Sequence, residues 1–398
     1  MSLHPRDTVI VDAVRTASGK GRSGGSLAEV HPVDLLAQTF QALLGRSPAL
    51  DPAEVDDVIV GCVSQVGEQS ATPGRMAWLG AGFPAHVPAT TIDRKCGSGQ
   101  QAVHFGAQGI AAGSYDVVVA GGVESMSRVV MGSARMGADP YGSLVAERFA
   151  PGLVSQGVAA ELVAERWKLD RGALDGLAVE SHRRAAAALE GGQFSRETIP
   201  VSTPAGQVDR DETVRPGSSI EKLATLPGVF RTDELADRFP GVGWNVTAGN
   251  SSQITDGASA LLLMSAERAA ALDLTPRARI HTMAVVGDDP LLMLTAPIPA
   301  TQRVLERSGL SLDAIDHVEL NEAFASVPLA WMAEFPQVDP ARVNPRGGAI
   351  ALGHPLGASG ARLMTTMLHA LEDTGGRFGL QLMCEAGGMA NATIIERL

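Results

Sequence analysis

With 398 residues, of which 45% are hydrophobic and 19% charged, the chain can bury one large core or two ordinary ones, and its composition is that of a soluble globular protein. A formal net charge of −12 argues against nucleic acid as a partner. No apolar run approaches the roughly 18 residues that a membrane span needs, and the start, MSLHPRDTVIVD, has no basic stretch followed by an apolar one. Three cysteines, Cys62, Cys96 and Cys384, are odd in number and lack CxxC spacing, so the expectation is no disulfide framework, no metal site and a cytoplasmic setting.

In chain order, Thr8–Val14 reads as a strand, Pro32–Leu44 as a helix and Val55–Gly61 as a second strand. The basic, Gly-rich loop Arg15–Leu27 is not a phosphate loop, because Gly21 follows Gly19-Lys20 where Ser or Thr is required. After Cys96, small and apolar residues recur at spacings of three and four (Gly99, Ala102, Val103, Gly106, Ala107, Ile110), which predicts a helix with Cys96 at its N-terminus. The positive end of a helix favours a thiolate, so the position suits a nucleophile with a depressed pKa; a buried core cysteine is the bland alternative. Asp116–Ala120 reads as the next strand. Strands separated by helices predict a mostly parallel sheet covered on both faces.

From about Ser125 the texture turns to Pro, Gly, charge and the amphipathic stretches Gly157–Leu169 and Leu174–Leu189, which reads as an insertion over 125–246. The α/β pattern returns with NSSQITDGASALLLMS and the helix AERAAAL. The last third then repeats the plan of the first: a strand at Ala278–Val286, a helix containing Thr301–Arg307, a strand at Asp316–Leu320 running into NEAFA, a Gly-rich loop with His354 leading into a buried helix, and strands at Phe378–Cys384 and Ala392–Ile395. This predicts an N-terminal unit over 1–275 and a C-terminal unit over 276–398. A duplicated fold would bring the Cys96 loop and the His354 loop together.

CGSGQQAV at Cys96, TAGNSSQITDGA at Thr247, NEAFA at Asn321, GGAIALGHPLGASGAR at Gly347 and CEAGGMANATIIE at Cys384 resemble, in the same order, the blocks of the thiolase family, the acyl-CoA C-acyltransferases. The resemblance implies a duplicated five-layer αβαβα fold with an inserted loop domain. It also implies reversible cleavage of 3-ketoacyl-CoA by CoA through an acyl-cysteine. Cys96 would be the nucleophile, His354 its base with a pKa near working pH, Cys384 the acid and base at carbon, and Asn321 the holder of a water in an oxyanion hole. A second hole would use backbone N–H groups at Ala386 and Gly387; Ala386 departs from the family's glycine, and alanine tolerates a left-handed backbone poorly. Gln156, Arg215, Lys222, Phe230, Ala248, Ser252 and Phe324 would bind CoA or acyl chain. Gln156 stands where short-chain biosynthetic members have methionine, which implies longer acyl chains. CoA and acyl-CoA would be substrates with no further cofactor, and the assembly a homodimer or homotetramer. Four other readings stand beside this one, the first being an acetoacetyl-CoA-specific acetyl-CoA acetyltransferase of the same family. A decarboxylating ketoacyl synthase would want a histidine or asparagine at Cys384. A serine hydrolase using Ser359 fails because Ala361 replaces the required glycine. A non-catalytic acyl-CoA binder does not account for Cys96, Asn321, His354 and Cys384 together.

Overall fold

The computed structural model describes residues 3–398. Its frame is nine strands: β1 (Thr8–Thr16), β2 (Asp57–Gly61), β3 (Ala89–Ile92), β4 (Val117–Ser125), β5 (Thr255–Ser265), β6 (Ala278–Gly287), β7 (His317–Leu320), β8 (Phe378–Glu385) and β9 (Met389–Arg397). The first five lie in the order β3-β2-β4-β5-β1 and the rest in the order β7-β8-β9-β6. A parallel bridge from Val318 to Val343 stands at the outer side of β7, in the place that β3 takes in the first half. The same path is therefore traced twice. Within the sheet, the two halves are joined by two register pairs between β1 and β6, Val9 with Arg279 and Ile10 with Ala278.

The expectation of a mostly parallel sheet is corrected. Pairs β2–β3, β2–β4 and β7–β8 are parallel, whereas β4–β5, β5–β1, β8–β9 and β9–β6 are antiparallel. The reason is connectivity: β9 follows β8 through a tight turn at Ala386–Gly388, with no crossover helix to reverse the chain. Sequence periodicity also passed over β3 and the Pro73–Gly80 helix. Strand β3 is four residues long, sits at the sheet edge and is only partly buried, so no alternation marks it.

Helices complete five layers. Pro32–Gly45 and Pro73–Gly80 cover one sheet through Leu35, Phe40, Trp78, Val60 and Leu262. Ser98–Ala111 and Leu356–Thr374 fill the middle through Ala102, Val103, Ala361, Met364 and Leu368, against Ile59, Val118, Leu261 and Ile395. Pro297–Ser308 and Ser326–Glu334 cover the far sheet through Val304, Trp331, Leu380 and Ile394. Along β8, Leu380 and Leu382 face this outer core, while the Gln381 amide turns inward to the Gly360 carbonyl at 2.6 Å.

The stretch between β4 and β5 contains the helices Gln156–Arg166 and Arg171–Glu190 and returns to β1 at Thr198–Ile199, which pairs parallel with Arg15–Thr16. Arg15 pins it there. Its buried guanidinium donates to Glu197 at 2.5 Å and to both oxygens of Asp211 at 2.7 and 3.0 Å. A buried cation with two carboxylates is a weak source of net stability. Removing one partner, however, leaves an uncompensated charge, so the pairing fixes where the insertion docks.

The two middle helices approach so closely that side chains are excluded. A Cβ on Gly99 would lie 2.8 Å from the Gly357 carbonyl oxygen, one on Gly357 would lie 2.6 Å from the Gly61 carbonyl oxygen, and one on Gly360 would overlap the backbone nitrogen of Gln100. Gly360→Ala is expected to cost about 3 kcal/mol or more in urea unfolding, because the obstructing Gln100 atoms are its backbone N and Cα and the Cβ fixed to them. Gly45→Ala is the control: its Cβ meets nothing within 4 Å, and it should stabilise by about 0.5 to 1 kcal/mol.

Candidate active site

Cys96 stands on a turn locked from both sides. The Asp93 carboxylate accepts the Lys95 N–H at 2.7 Å, and the Ser98 hydroxyl accepts the Arg94 N–H at 2.8 Å and donates to the Lys95 carbonyl at 2.6 Å. Lys95 is thereby held at φ 50, a left-handed conformation that costs a non-glycine residue energy and is kept only under such constraint. The helix begins at Ser98, with Gly97 as its cap, so Cys96 lies at the open N–H end.

His354 ends a short turn that the Leu356–Thr374 helix follows. Its backbone N–H is held by the Gln253 carbonyl at 3.1 Å and the Thr255 hydroxyl at 3.0 Å. The ring Nδ1 lies 2.6 Å from the Ser359 hydroxyl, which is 2.8 Å from the Pro355 carbonyl. A carbonyl only accepts, so the Ser359 proton goes to Pro355 and the Ser359 oxygen accepts from Nδ1–H. That fixes the tautomer and leaves buried Nε2 as an acceptor with no protein partner. Burial first and the Arg362 charge second push the His354 pKa down to about 3. The expectation of a value near working pH is therefore corrected: the imidazole is neutral throughout.

Cys96 is corrected in the same sense. Burial raises its pKa, the neighbouring Cys384 and Glu385 charges raise it further, and the Gln156 side chain reaching the thiol and a backbone N–H only partly oppose this. The helix end is real, but it is outweighed by loss of water around the sulfur. Cys62 is wholly buried and is also raised, by burial and by Glu124 and Asp93.

Cys384 is the next-to-last residue of β8, beside Asn321, whose Nδ2 lies 3.6 Å from the Cys384 sulfur; the Asn321 Oδ1 is buried without a protein partner. Burial pushes the Cys384 pKa up to about 11, with Asn321 opposing. In the following turn, left-handed backbone falls at Gly387 (φ 91) and Gly388 (φ 76) and not at Ala386, so alanine in place of the family's glycine carries no left-handed strain.

Other residues singled out from sequence fall in two groups. Gln156 opens its helix beside Cys96, and the Phe230 ring stacks edge-on to Phe324 at 6.0 Å against Gly157, so these three share one wall. Ser252 joins them through its N–H to the Ala323 carbonyl at 2.9 Å, and Ala248 is exposed nearby in chain. Arg215 and Lys222 are exposed; Arg215 bonds Gln253 at 2.8 Å and Lys222 bonds the Gly217 carbonyl at 2.7 Å. Sequence reasoning passed over Ser359 as the anchor of His354 and also Glu124, a buried carboxylate that accepts N–H groups from Val63, Ser64, Gln69 and Gly357 at 2.9–3.0 Å. No spacing rule marks a carboxylate that binds backbone. Among the described residues no group of His, Cys, Asp or Glu could hold a metal ion, and no helix is long and apolar enough to cross a membrane.

The frame is a duplicated αβαβα arrangement with two buried thiols, Cys96 and Cys384, and the buried, neutral imidazole of His354. The model of the thiolase N-terminal domain matches residues 8–267 and that of the thiolase C-terminal domain residues 274–397, and the chain belongs to the thiolase family. It is 49% identical to a steroid 3-ketoacyl-CoA thiolase of Mycobacterium tuberculosis, over 98% of this chain and 94% of that one. It is 44% identical to the 3-oxoadipyl-CoA/3-oxo-5,6-dehydrosuberyl-CoA thiolase of Escherichia coli, over 99% of this chain and all of that one. A crystal structure of the acetyl-CoA acetyltransferase of Bacillus anthracis superposes with a TM-score of 0.87 at 36% identity, covering both chains fully.

Nitrogen-detected NMR of labelled histidine should find His354 neutral and protonated at Nδ1 from about pH 5 to 9. Ser359→Ala should release the tautomer and lower kcat by about 10- to 100-fold. A His354 titration near 6.5 would sink this account of the ring.

Proposed function

We propose that the protein cleaves 3-ketoacyl-CoA with CoA, and runs the reverse condensation, through an acyl group on Cys96. The observation that carries this reading is the pair of buried thiols sharing one site, with Cys384 raising the Cys96 pKa.

In cleavage, the neutral Nε2 of His354 takes the Cys96 proton as the sulfur attacks the keto carbon. The new Nε2–H then becomes a donor, so one atom serves as base and later as oxyanion ligand. The carbon–carbon bond breaks, its electron pair leaves as the enolate of acetyl-CoA, and Cys384 gives that carbon its proton. A thiol held near 11 keeps its proton until a carbanion forms. The Cys384 thiolate next takes the proton of incoming CoA, CoA sulfur displaces Cys96 from the thioester, and His354 returns the first proton to Cys96. Both thiols end as they began, and CoA enters and leaves as substrate with no cofactor.

The Gln156, Phe230, Phe324 and Ser252 wall is where we place the pantetheine and the start of the acyl chain, with Ala248 beside it and Arg215 and Lys222 toward the CoA nucleotide. Ala386 and Gly387 supply the second oxyanion hole. The relatives named above for steroid and oxoadipyl substrates support chains longer than acetoacetyl. We further read 1–275, with 125–246 inserted, and 276–398 as the two working units, a dimer or tetramer as the assembly and the cytoplasm as the compartment. Three free buried cysteines suit the last.

Mixing with acetyl-CoA should leave acetyl on Cys96 by mass spectrometry; acetyl on Ser359 or none at all rejects the reading. Cys384→Ala should keep acetyl exchange between Cys96 and CoA while losing condensation by about 10²- to 10⁴-fold, and should not exchange the methyl protons of acetyl-CoA with deuterated solvent. Cys96→Ala should lose both. In a chain-length series, kcat/KM should be higher for longer 3-ketoacyl-CoA than for acetoacetyl-CoA, and activity confined to the latter would contradict the role given to Gln156.

A further inference from the structure

The catalytic cycle above leaves one buried ionisable group of the site without a task. Glu385 follows Cys384 in β8, and because side chains alternate along a strand it points the other way, into the middle layer. There its carboxyl lies against Gly97, the cap of the Cys96 helix: a Cβ on Gly97 would overlap Glu385 Oε1. The side chain is fully buried, and neither carboxyl oxygen makes a well-formed hydrogen bond, the Asn391 N–H approaching without reaching that geometry. Two groups capable of negative charge, the Cys96 sulfur and this carboxyl, thus crowd the positive end of one helix.

We propose that Glu385 is a proton-holding positioning residue that permits the Cys96 thiolate only while it is itself neutral, and so sets the alkaline limit of the enzyme. The inference rests on Cys96 being the reactive thiol. With the proton on, the helix end and Gln156 act on Cys96 alone; with it off, an unscreened negative charge opposes a second one in the same dry space.

The surroundings favour the neutral form. Burial dominates and pushes the Glu385 pKa up to about 8. Arg94 and the Asn391 N–H, from the segment before the helix and from β9, oppose the rise, and Asp93 adds to it. Arg94 is the only cation among these groups, and Asp93 is already paired with Lys95 at 2.6 Å. The Glu385 charge raises both Cys96 and Cys384, so the two thiols respond together. The order of ionisation follows: rising pH removes the Glu385 proton before either thiol loses its own, and the gain in thiolate that alkali should bring is cancelled.

The test is the rate at which iodoacetamide, a neutral reagent, alkylates Cys96, read by peptide mass spectrometry between about pH 6.5 and 9.5. Glu385→Gln keeps the shape and removes the charge. The Gln-to-wild-type rate ratio should be near one at the acid end and rise to about tenfold or more at the alkaline end. A ratio constant across the range, whatever its value, overturns the proposal, because a purely structural effect does not follow pH. The wild-type protein tests it without any variant: its log rate against pH should bend downward near 8, and a straight line of unit slope overturns the proposal. Alkylation needs no acyl transfer, so these outcomes stand apart from the acetyl-CoA experiment that tests the function.

Discussion

The structure depends on one contact: the first turns of two helices, Ser98–Ala111 and Leu356–Thr374, meeting backbone to backbone over the ends of β2 and β4. Gly61, Gly99, Gly122, Gly357 and Gly360 leave no side chain between them, and each would place a Cβ inside van der Waals distance of backbone across the junction. Glu124, at the end of β4, closes it by accepting N–H groups from the loop after β2 and from Gly357 at once. The close approach costs apolar burial at these positions, and the neighbouring Ala102, Ala361, Met364 and Leu368 supply it further along. Cys96 and His354 stand just before these two helices, so the contact that seals the core also sets how the thiol and the imidazole are placed.

The same dryness sets the chemistry. Taking water away raises thiols and lowers imidazoles, and here it does both: Cys96, Cys384 and Glu385 hold protons while His354 has none on Nε2. The resting site is therefore neutral. Charge appears when substrate brings an oxygen that can share it, which is the condition under which preorganised donors act most strongly. The neutral histidine also carries a stability consequence. His104 and His354 are held down to about 3 and His182 to about 4, below the ordinary value near 6.5. Only the unfolded chain binds those protons as pH falls through that range, so stability conferred above it is lost toward acid.

The segment between β4 and β5 is joined to this frame by core and by polar links: Val158, Val163, Leu174 and Ala178 share one buried cluster with Leu320, Ala330 and Trp331. Arg15 reaches Glu197 and Asp211, and Glu212 accepts the N–H groups of Lys20 and Ser26. Its helix starting at Gln156 brings an amide to Cys96 and, through Gly157 and Phe230, a wall of the site. The segment that differs most in texture from the rest thus supplies a wall beside Cys96, while the duplicated frame holds the two buried thiols and the imidazole.

Much of this was legible in the chain. The period of apolar residues placed most helices and strands within a few residues, the repetition of the first third in the last implied duplication, and Cys96, His354, Asn321 and Cys384 stood out by their blocks. Those signals are local, because side-chain periodicity and turn chemistry are set by near neighbours. Strand direction was misjudged, since it depends on which strand the chain returns to. The Cys96 pKa was misjudged in direction, and the His354 pKa was expected near working pH where burial lowers it, since a helix end is visible in sequence and the loss of solvent around it is not. Ser359, Glu124 and Glu385 have no spacing that announces them: their roles arise from contacts with His354, Gly357 and Gly97, and all but Ser359 are far from those partners in the chain. The sequence by itself determined which groups could react and along which elements they lie. Only the tertiary structure decided their protonation, their partners and their order of ionisation, because each is fixed by burial and by charges brought together from distant parts of the chain.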